Sequence, residues 1–184
     1  MRQCEEVSGG PEKHIGQIVA GRYKILGHLG TGALAHVFEA EDTQVGERVA
    51  LKLLMADVKD RHAAQERFER AVLIASKINH PGCIKMFDYG LSEEGLPYQS
   101  MEIIRGESLA DLLDREEVLE VPRALAMFRQ LLSALAACSD AGVIHRDVKP
   151  ENILLDRQEP GVDRLKLIDF GIGKLHGEAA LGHS

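Results

Sequence analysis

The chain lacks an excess of positive charge: its 184 residues carry 22 Lys and Arg against 29 Asp and Glu, a formal net charge of −7. General affinity for nucleic acid or anionic lipid needs a basic face, so neither is expected as a partner. Any phosphate must be held locally. Cysteine is scarce as well. Cys4, Cys83 and Cys138 are odd in number, widely spaced and without a metal-ligand pattern, which fits reduced thiols of a cytosolic compartment acting as structural filler. Long apolar runs are missing too. The most apolar stretch, residues 124–144, is interrupted by Arg129, Gln130 and Asp140, so it reads as a buried helix rather than a membrane span. Residues 1–16 carry Glu5, Glu6, Glu12, Lys13 and three glycines where a signal peptide would be apolar, and a cytoplasmic location is expected. Internal repeats and low-complexity segments are absent from the sequence.

What is present is ordinary for a globular protein: 45% hydrophobic and 28% charged residues, in a length that suits one domain or two small lobes. Residues 1–20 read as a tail punctuated by Gly9, Gly10 and Pro11. Three short β-rich runs follow at 23–29, 35–40 and 48–54. Phe68, Ala71, Val72, Ala75 and Ile78 then recur at helical spacing, predicting one amphipathic helix over 57–78 that His80, Pro81 and Gly82 end. Further strands are predicted at 84–89 and 97–104. After Gly106 the pattern turns helical, with Ser108 as N-cap of a short helix to Asp114 and Pro122 opening a longer one to Ala141. The expected fold class is α+β, with a strand-rich half over 21–104 carrying one helix and a helical half over 105–184.

Four sequence features carry chemistry. Leu29, Gly30, Thr31 and Gly32 place two glycines where backbone amides could approach a polyphosphate, although an ordinary β-turn explains them equally well in isolation. A dinucleotide-binding fingerprint would need a helix directly after the glycines, and the residues from Val37 onward read as strand. Lys52 lies in the alternating apolar run of Val49, Ala50 and Leu51. Taken alone, it would be a solubilising surface charge. His145, Arg146, Asp147, Lys149 and Asn152 form a charged loop between apolar runs, and Asp169, Phe170 and Gly171 follow after an intervening β pair. Two carboxylates, an ammonium and an amide are equipment for metal and phosphate.

The last two segments resemble the catalytic loop and the Asp-Phe-Gly element of protein kinases, and Lys149, two residues after Asp147, resembles the serine/threonine branch. The resemblance covers residues 18–184 and implies a two-lobed fold with its hinge near 102–105. It also implies ATP and Mg²⁺ as cofactors and a protein serine or threonine hydroxyl as acceptor. By the same resemblance Leu29, Gly30, Thr31, Gly32 and Lys52 would hold the phosphates. Val37 and Ala50 would roof the adenine and Leu154 would floor it. Met101 would be the gatekeeper, and backbone groups of Glu102 and Ile104 would meet the base edge. Asp147 would accept the hydroxyl proton, Lys149 would neutralise the γ-phosphate, and Asn152 with Asp169 would bind Mg²⁺. His145 and Phe170 would pack structurally, and Arg146 would receive a phosphorylated activation loop.

Two departures from the family stand out. The glutamate expected to pair with Lys52 falls at Ala71, with Glu69 and Glu66 about 200° and about 140° round the helix. Lys52 is therefore expected to lean on Asp169 and on ATP. Only thirteen residues follow Gly171, so the chain reads as about the first two-thirds of a kinase domain with an incomplete C-lobe. Leu125, Phe128, Leu131, Leu132 and Leu135 would then need a covering partner or remain exposed. The readings to be distinguished are an active kinase, a nucleotide-binding pseudokinase or regulatory module without turnover, and a fragment with little function alone.

Overall fold

The structure, a computed structural model, describes residues 10–32, 35–54, 65–66, 72–73, 76–158 and 161–170. Six strands make one antiparallel sheet: β1 (Ile18–Val19), β2 (Tyr23–Thr31), β3 (Ala35–Asp42), β4 (Glu47–Leu54), β5 (Met86–Leu91) and β6 (Pro97–Met101), in the order β1-β2-β3-β4-β6-β5. Side chains alternate between the faces of a strand, and in β4 both faces are covered. Val49, Leu51 and Leu53 pack with Tyr23, Ile25, Phe38 and Tyr98 on one face. Ala50 points the other way, into a second cluster with Met101, Leu167 and Phe170. Lys52, two residues on, shares that second face, so the alternation that buries the strand also delivers the lysine to the cleft.

Residues 106–170 form the second half. β7 (Gly106–Ser108), β8 (Ile153–Asp156) and β9 (Arg164–Leu167) make a three-stranded sheet beside helices α1 (Leu109–Glu116) and α2 (Val121–Asp140). Gly106 is required where it stands. A Cβ there would lie 1.7 Å from the Leu155 carbonyl oxygen, so only glycine lets β7 approach β8 this closely. Ser108 caps α1 through a reciprocal box: Asp111 N–H donates to Ser108 Oγ at 3.0 Å, and Ser108 N–H donates to Asp111 Oδ2 at 3.1 Å. Gln130 ties α2 to the β8–β9 hairpin, donating to Asp163 O at 2.8 Å and accepting from Leu165 N–H at 3.0 Å. None of the described helices is long and apolar enough to cross a membrane.

Several boundaries differ from expectation for identifiable reasons. The stretch read as a tail carries a 3₁₀ turn, Pro11–His14, and strand β1, which pairs with β2 and buries Val19. β5 starts at Met86, two residues later than predicted, because Ile84 N–H donates to Leu167 O at 3.0 Å and Leu167 N–H to Gly82 O at 2.8 Å. Residues 82–84 therefore pair with β9 before the chain reaches β5. β6 ends at Met101 rather than 104, and Ile103 and Ile104 turn to pack against the second cluster. Gln65, Glu66, Val72 and Leu73 are helical, within the helix predicted over 57–78; Ala71 and most of that span lie outside the described residues. On α2 the buried residues are Met127, Ala134 and Cys138. Leu131 and Leu135 pack against the second cluster, whereas Leu125, Phe128 and Leu132 remain exposed.

Candidate active site

The cleft is built where the two halves meet. On its upper side β2 and β3 are joined through the glycine segment, closed by Gly32 N–H donating to Ala35 O at 2.8 Å; Ala33 and Leu34 lie outside the described residues. Leu29, Thr31 and Gly32 are exposed, and a Cβ at Gly30 would meet nothing within 4 Å. The described neighbours of position 30 leave room for a side chain, and the β2–β3 register shifts between His28 and Gly30, an irregularity at which a bare backbone is at home. Val37, Ala50, Met101 and Ile104 belong to one apolar cluster beneath this segment. Leu154 is not in that cluster. It is half-buried on β8, directly across from Lys166 of β9.

Lys52 crosses the cleft to form an ion pair with Asp169 Oδ1. The lysine side chain is 14% exposed and the aspartate 44%, so the pair sits at the boundary of solvent. Asp169 adopts φ 58° and Arg146 φ 64°, backbone conformations that side chains other than glycine take at a cost. His145 holds the two loops together. Its Nε2 bonds Ile168 O at 2.8 Å, Asp147 N–H donates to its Nδ1 at 3.3 Å, and its ring lies 4.9 Å from that of Phe170. Those roles place the proton on Nε2, and burial lowers the imidazole pKa, so the ring is held neutral.

The loop between α2 and β8 gathers three of the singled-out side chains. Asn152 Nδ2 donates to Asp147 O at 2.8 Å and to Asp147 Oδ2 at 2.9 Å, and Lys149 Nζ lies 3.2 Å from the same Oδ2. A 3₁₀ turn, Pro150–Asn152, folds the loop back on itself, and Ile168 N–H donates to Asn152 O at 2.9 Å. This last bond sets Asn152 beside the segment that carries Asp169. Because the amide nitrogen is engaged with Asp147, the Asn152 carbonyl oxygen is the atom left for a ligand. Among the described residues no three His, Cys, Asp or Glu side chains form a closed metal cage. One carboxylate and one amide oxygen are a hard, partial donor set, the kind that suits a cation which keeps waters and phosphate oxygens.

The hinge holds contacts that sequence spacing does not reveal. Glu102 Oε1 accepts from Lys85 N–H and from Lys166 Nζ, each at 2.7 Å, while Glu102 N–H donates to Lys85 O at 2.9 Å. One carboxylate thus braces the approach to β5 and strand β9 against the hinge. Gln99 is a second residue of this kind. It is a polar side chain, 6% exposed, within a strand buried along its length; beside Ser100 in a mixed stretch, it carries no distinctive signal in the sequence.

Two antiparallel layers, a glycine turn above a strand lysine, and two acidic loops below it define a two-lobed protein with one shared cleft. A family model of the protein kinase domain matches residues 23–181, and the chain belongs to the protein kinase family. It is 35% identical over 164 residues to the serine/threonine-protein kinase pkn3 of Myxococcus xanthus, covering 89% of this chain and 30% of that protein. To the serine/threonine-protein kinase PknA of Mycobacterium tuberculosis it is 37% identical, covering 87% of this chain and 37% of that protein. The solved PknI kinase domain of Mycobacterium tuberculosis superposes with a TM-score of 0.74 at 29% identity, covering 85% of this chain and 62% of that one. The chain therefore spans about a third of these curated relatives and under two thirds of the solved domain. The kinase-like two-lobed α+β fold expected from sequence is the fold observed.

Proposed function

We propose that this chain carries the nucleotide and catalytic machinery of an ATP-dependent serine/threonine protein kinase, with Mg²⁺ as the cation. The convergence of Lys149 and Asn152 on the Asp147 carboxylate supports this reading most directly, because it holds a base and an ammonium within one contact of each other. The glycine segment would admit the phosphates, Lys52 would meet them from the roof, and the cluster of Val37, Ala50 and Met101 would enclose the base above Leu154. Glu102 N–H is taken by Lys85, which leaves the Glu102 carbonyl and the Ile104 N–H for the base edge. Asp169 and the Asn152 carbonyl oxygen would hold Mg²⁺, which compensates phosphate charge.

In the transfer, the acceptor hydroxyl oxygen bonds to the γ-phosphorus as the bond to the β–γ bridging oxygen breaks, and ADP departs. Asp147 takes the hydroxyl proton. Lys149 stands beside it to offset the charge of the moving phosphoryl group. A cytoplasmic location belongs to the same reading, which the odd number and wide spacing of Cys4, Cys83 and Cys138 in the sequence support. The relatives compared are themselves described as serine/threonine kinases, and none favours binding without turnover.

The experiment is transfer of labelled γ-phosphate from ATP to a generic serine- and threonine-containing protein, run beside Asp147→Asn. Transfer by the unaltered chain that falls at least about a hundredfold in the variant is expected. Equal transfer by both would remove Asp147 from the role, and failure to bind ATP at all would overturn the nucleotide reading.

A further inference from the structure

The side-chain carbonyl of Gln99 is buried and has no hydrogen-bond partner among the described residues. Among the described residues its amide nitrogen makes one weak contact, donating to Met101 Sδ at 3.9 Å. Leaving a buried acceptor unpaired costs free energy, and a leucine or methionine would fill the same strand position without that cost. A polar side chain kept in such a place calls for a use that the resting protein does not display.

The sheet register indicates what that use is. Gln99 of β6 is the direct cross-strand partner of Lys52 of β4, and Met101 is likewise opposite Ala50. Directly opposed residues in an antiparallel pair share a face, with Cβ atoms roughly 4.5–5.5 Å apart. The orphan carbonyl therefore belongs to the residue beside the Lys52 stem, within reach of a flexible four-carbon chain. In the structure the ammonium lies with Asp169 on the opposite side of the cleft. The sequence has alanine at position 71, where the resemblance calls for the lysine's acidic partner.

We infer that Gln99 is a positioning residue for Lys52, its buried carbonyl accepting the ammonium when Asp169 turns to the cation. This inference rests on the nucleotide reading above. With Asp169 engaged by Mg²⁺, Lys52 loses the partner that holds it in the resting state and needs another acceptor behind the phosphates. A neutral carbonyl suits that place: it orients the ammonium by one charge-assisted hydrogen bond and leaves the positive charge undiminished for the phosphates.

The test is a double-mutant cycle on binding of Mg²⁺ with a non-hydrolysable ATP analogue, read by calorimetry. Gln99→Leu is expected to weaken binding about tenfold, the scale of one hydrogen bond to a charged group. In a Lys52→Met background the same change is expected to do nothing. The ligand-free Gln99→Leu protein should melt at the temperature of the unaltered chain or above it, since an unpaired acceptor has gone. Gln99→Met keeps an unbranched side chain and replaces leucine in the cycle should leucine lower the melt. Equal weakening in both backgrounds, or none in either, would overturn the role of Gln99 while leaving nucleotide binding intact. Absence of binding by the unaltered chain would overturn the nucleotide reading and this inference together.

Discussion

Lys52 of β4 and Asp169, just beyond β9, are bound to each other across the cleft, and the acid that the resemblance calls for as the lysine's partner is alanine in this sequence. A cation entering the site must therefore compete with an ammonium for the same carboxylate. Nucleotide brings a second set of anionic oxygens for Lys52, so cation and nucleotide are expected to bind more tightly together than either does alone. Asp169→Asn removes the carboxylate from both contacts. Calorimetry should show Mg²⁺-dependent ATP affinity falling by about ten- to a hundredfold, with metal-free ATP affinity much less affected.

Glu102 links three backbone segments through one carboxylate, and its loss should be felt at the hinge. Glu102→Gln keeps an acceptor for Lys85 N–H but gives up the ion pair with Lys166, whose side chain is only 15% exposed. A loss of about 1 kcal/mol is expected in urea unfolding, with a rise in adenine-nucleotide dissociation constant of a few-fold. Lys166→Met should match the stability loss, and the double variant should cost less than the sum of the two.

His145 sets a pH dependence whose sign follows from its burial. Its folded pKa lies below the ordinary value of 6.5, so the unfolded chain binds the proton more readily. Stability contributed by the neutral ring is complete above about pH 6.5 and is lost as pH falls below it. His36, lowered by burial and by neighbouring His28, His14 and Lys13, acts in the same direction. Melting temperature should decline from pH 7 to pH 5.5, and His145→Gln should show a shallower decline from a lower starting point. A steeper slope in the variant would contradict the assignment.

Leu125, Phe128 and Leu132 stand three and four residues apart on α2, so they form one exposed apolar stripe. Such a stripe promotes association of the isolated chain. Light scattering should show concentration-dependent association that Phe128→Glu with Leu132→Glu reduces, while the circular dichroism spectrum stays unchanged.

The motif residues are legible in sequence because each demands a particular side chain at a fixed place in a local turn. Asp147, Lys149 and Asn152 lie within one loop, and their mutual contacts need no knowledge of distant strands. Ser108 and Asp111 are legible for the same reason: the cap and its return bond span three residues. Contacts made at long range are another matter. The pairing of Glu102 with Lys166, and the orphaned carbonyl of Gln99, depend on strands separated by tens of residues being brought side by side. The start of β5 was displaced by the same cause, since only the folded chain shows Ile84 N–H turned toward β9. Alternation of side chains predicts which face of β4 is apolar, yet both faces proved covered, and Lys52 is distinguished from a surface lysine only by what lies opposite.

Residues 82–84 and the hinge at 102–105 join the two halves at separate places, one by hydrogen bonds to β9 and the other by the covalent chain. Two anchor points define a line. Rotation about that line is the movement of one half against the other that leaves both joints intact, and the Lys52–Asp169 ion pair across the cleft opposes it. The glycine segment is carried by β2 and β3, which β4 and β6 separate from β5, so a rotation at Leu167 is passed across the sheet to Thr31.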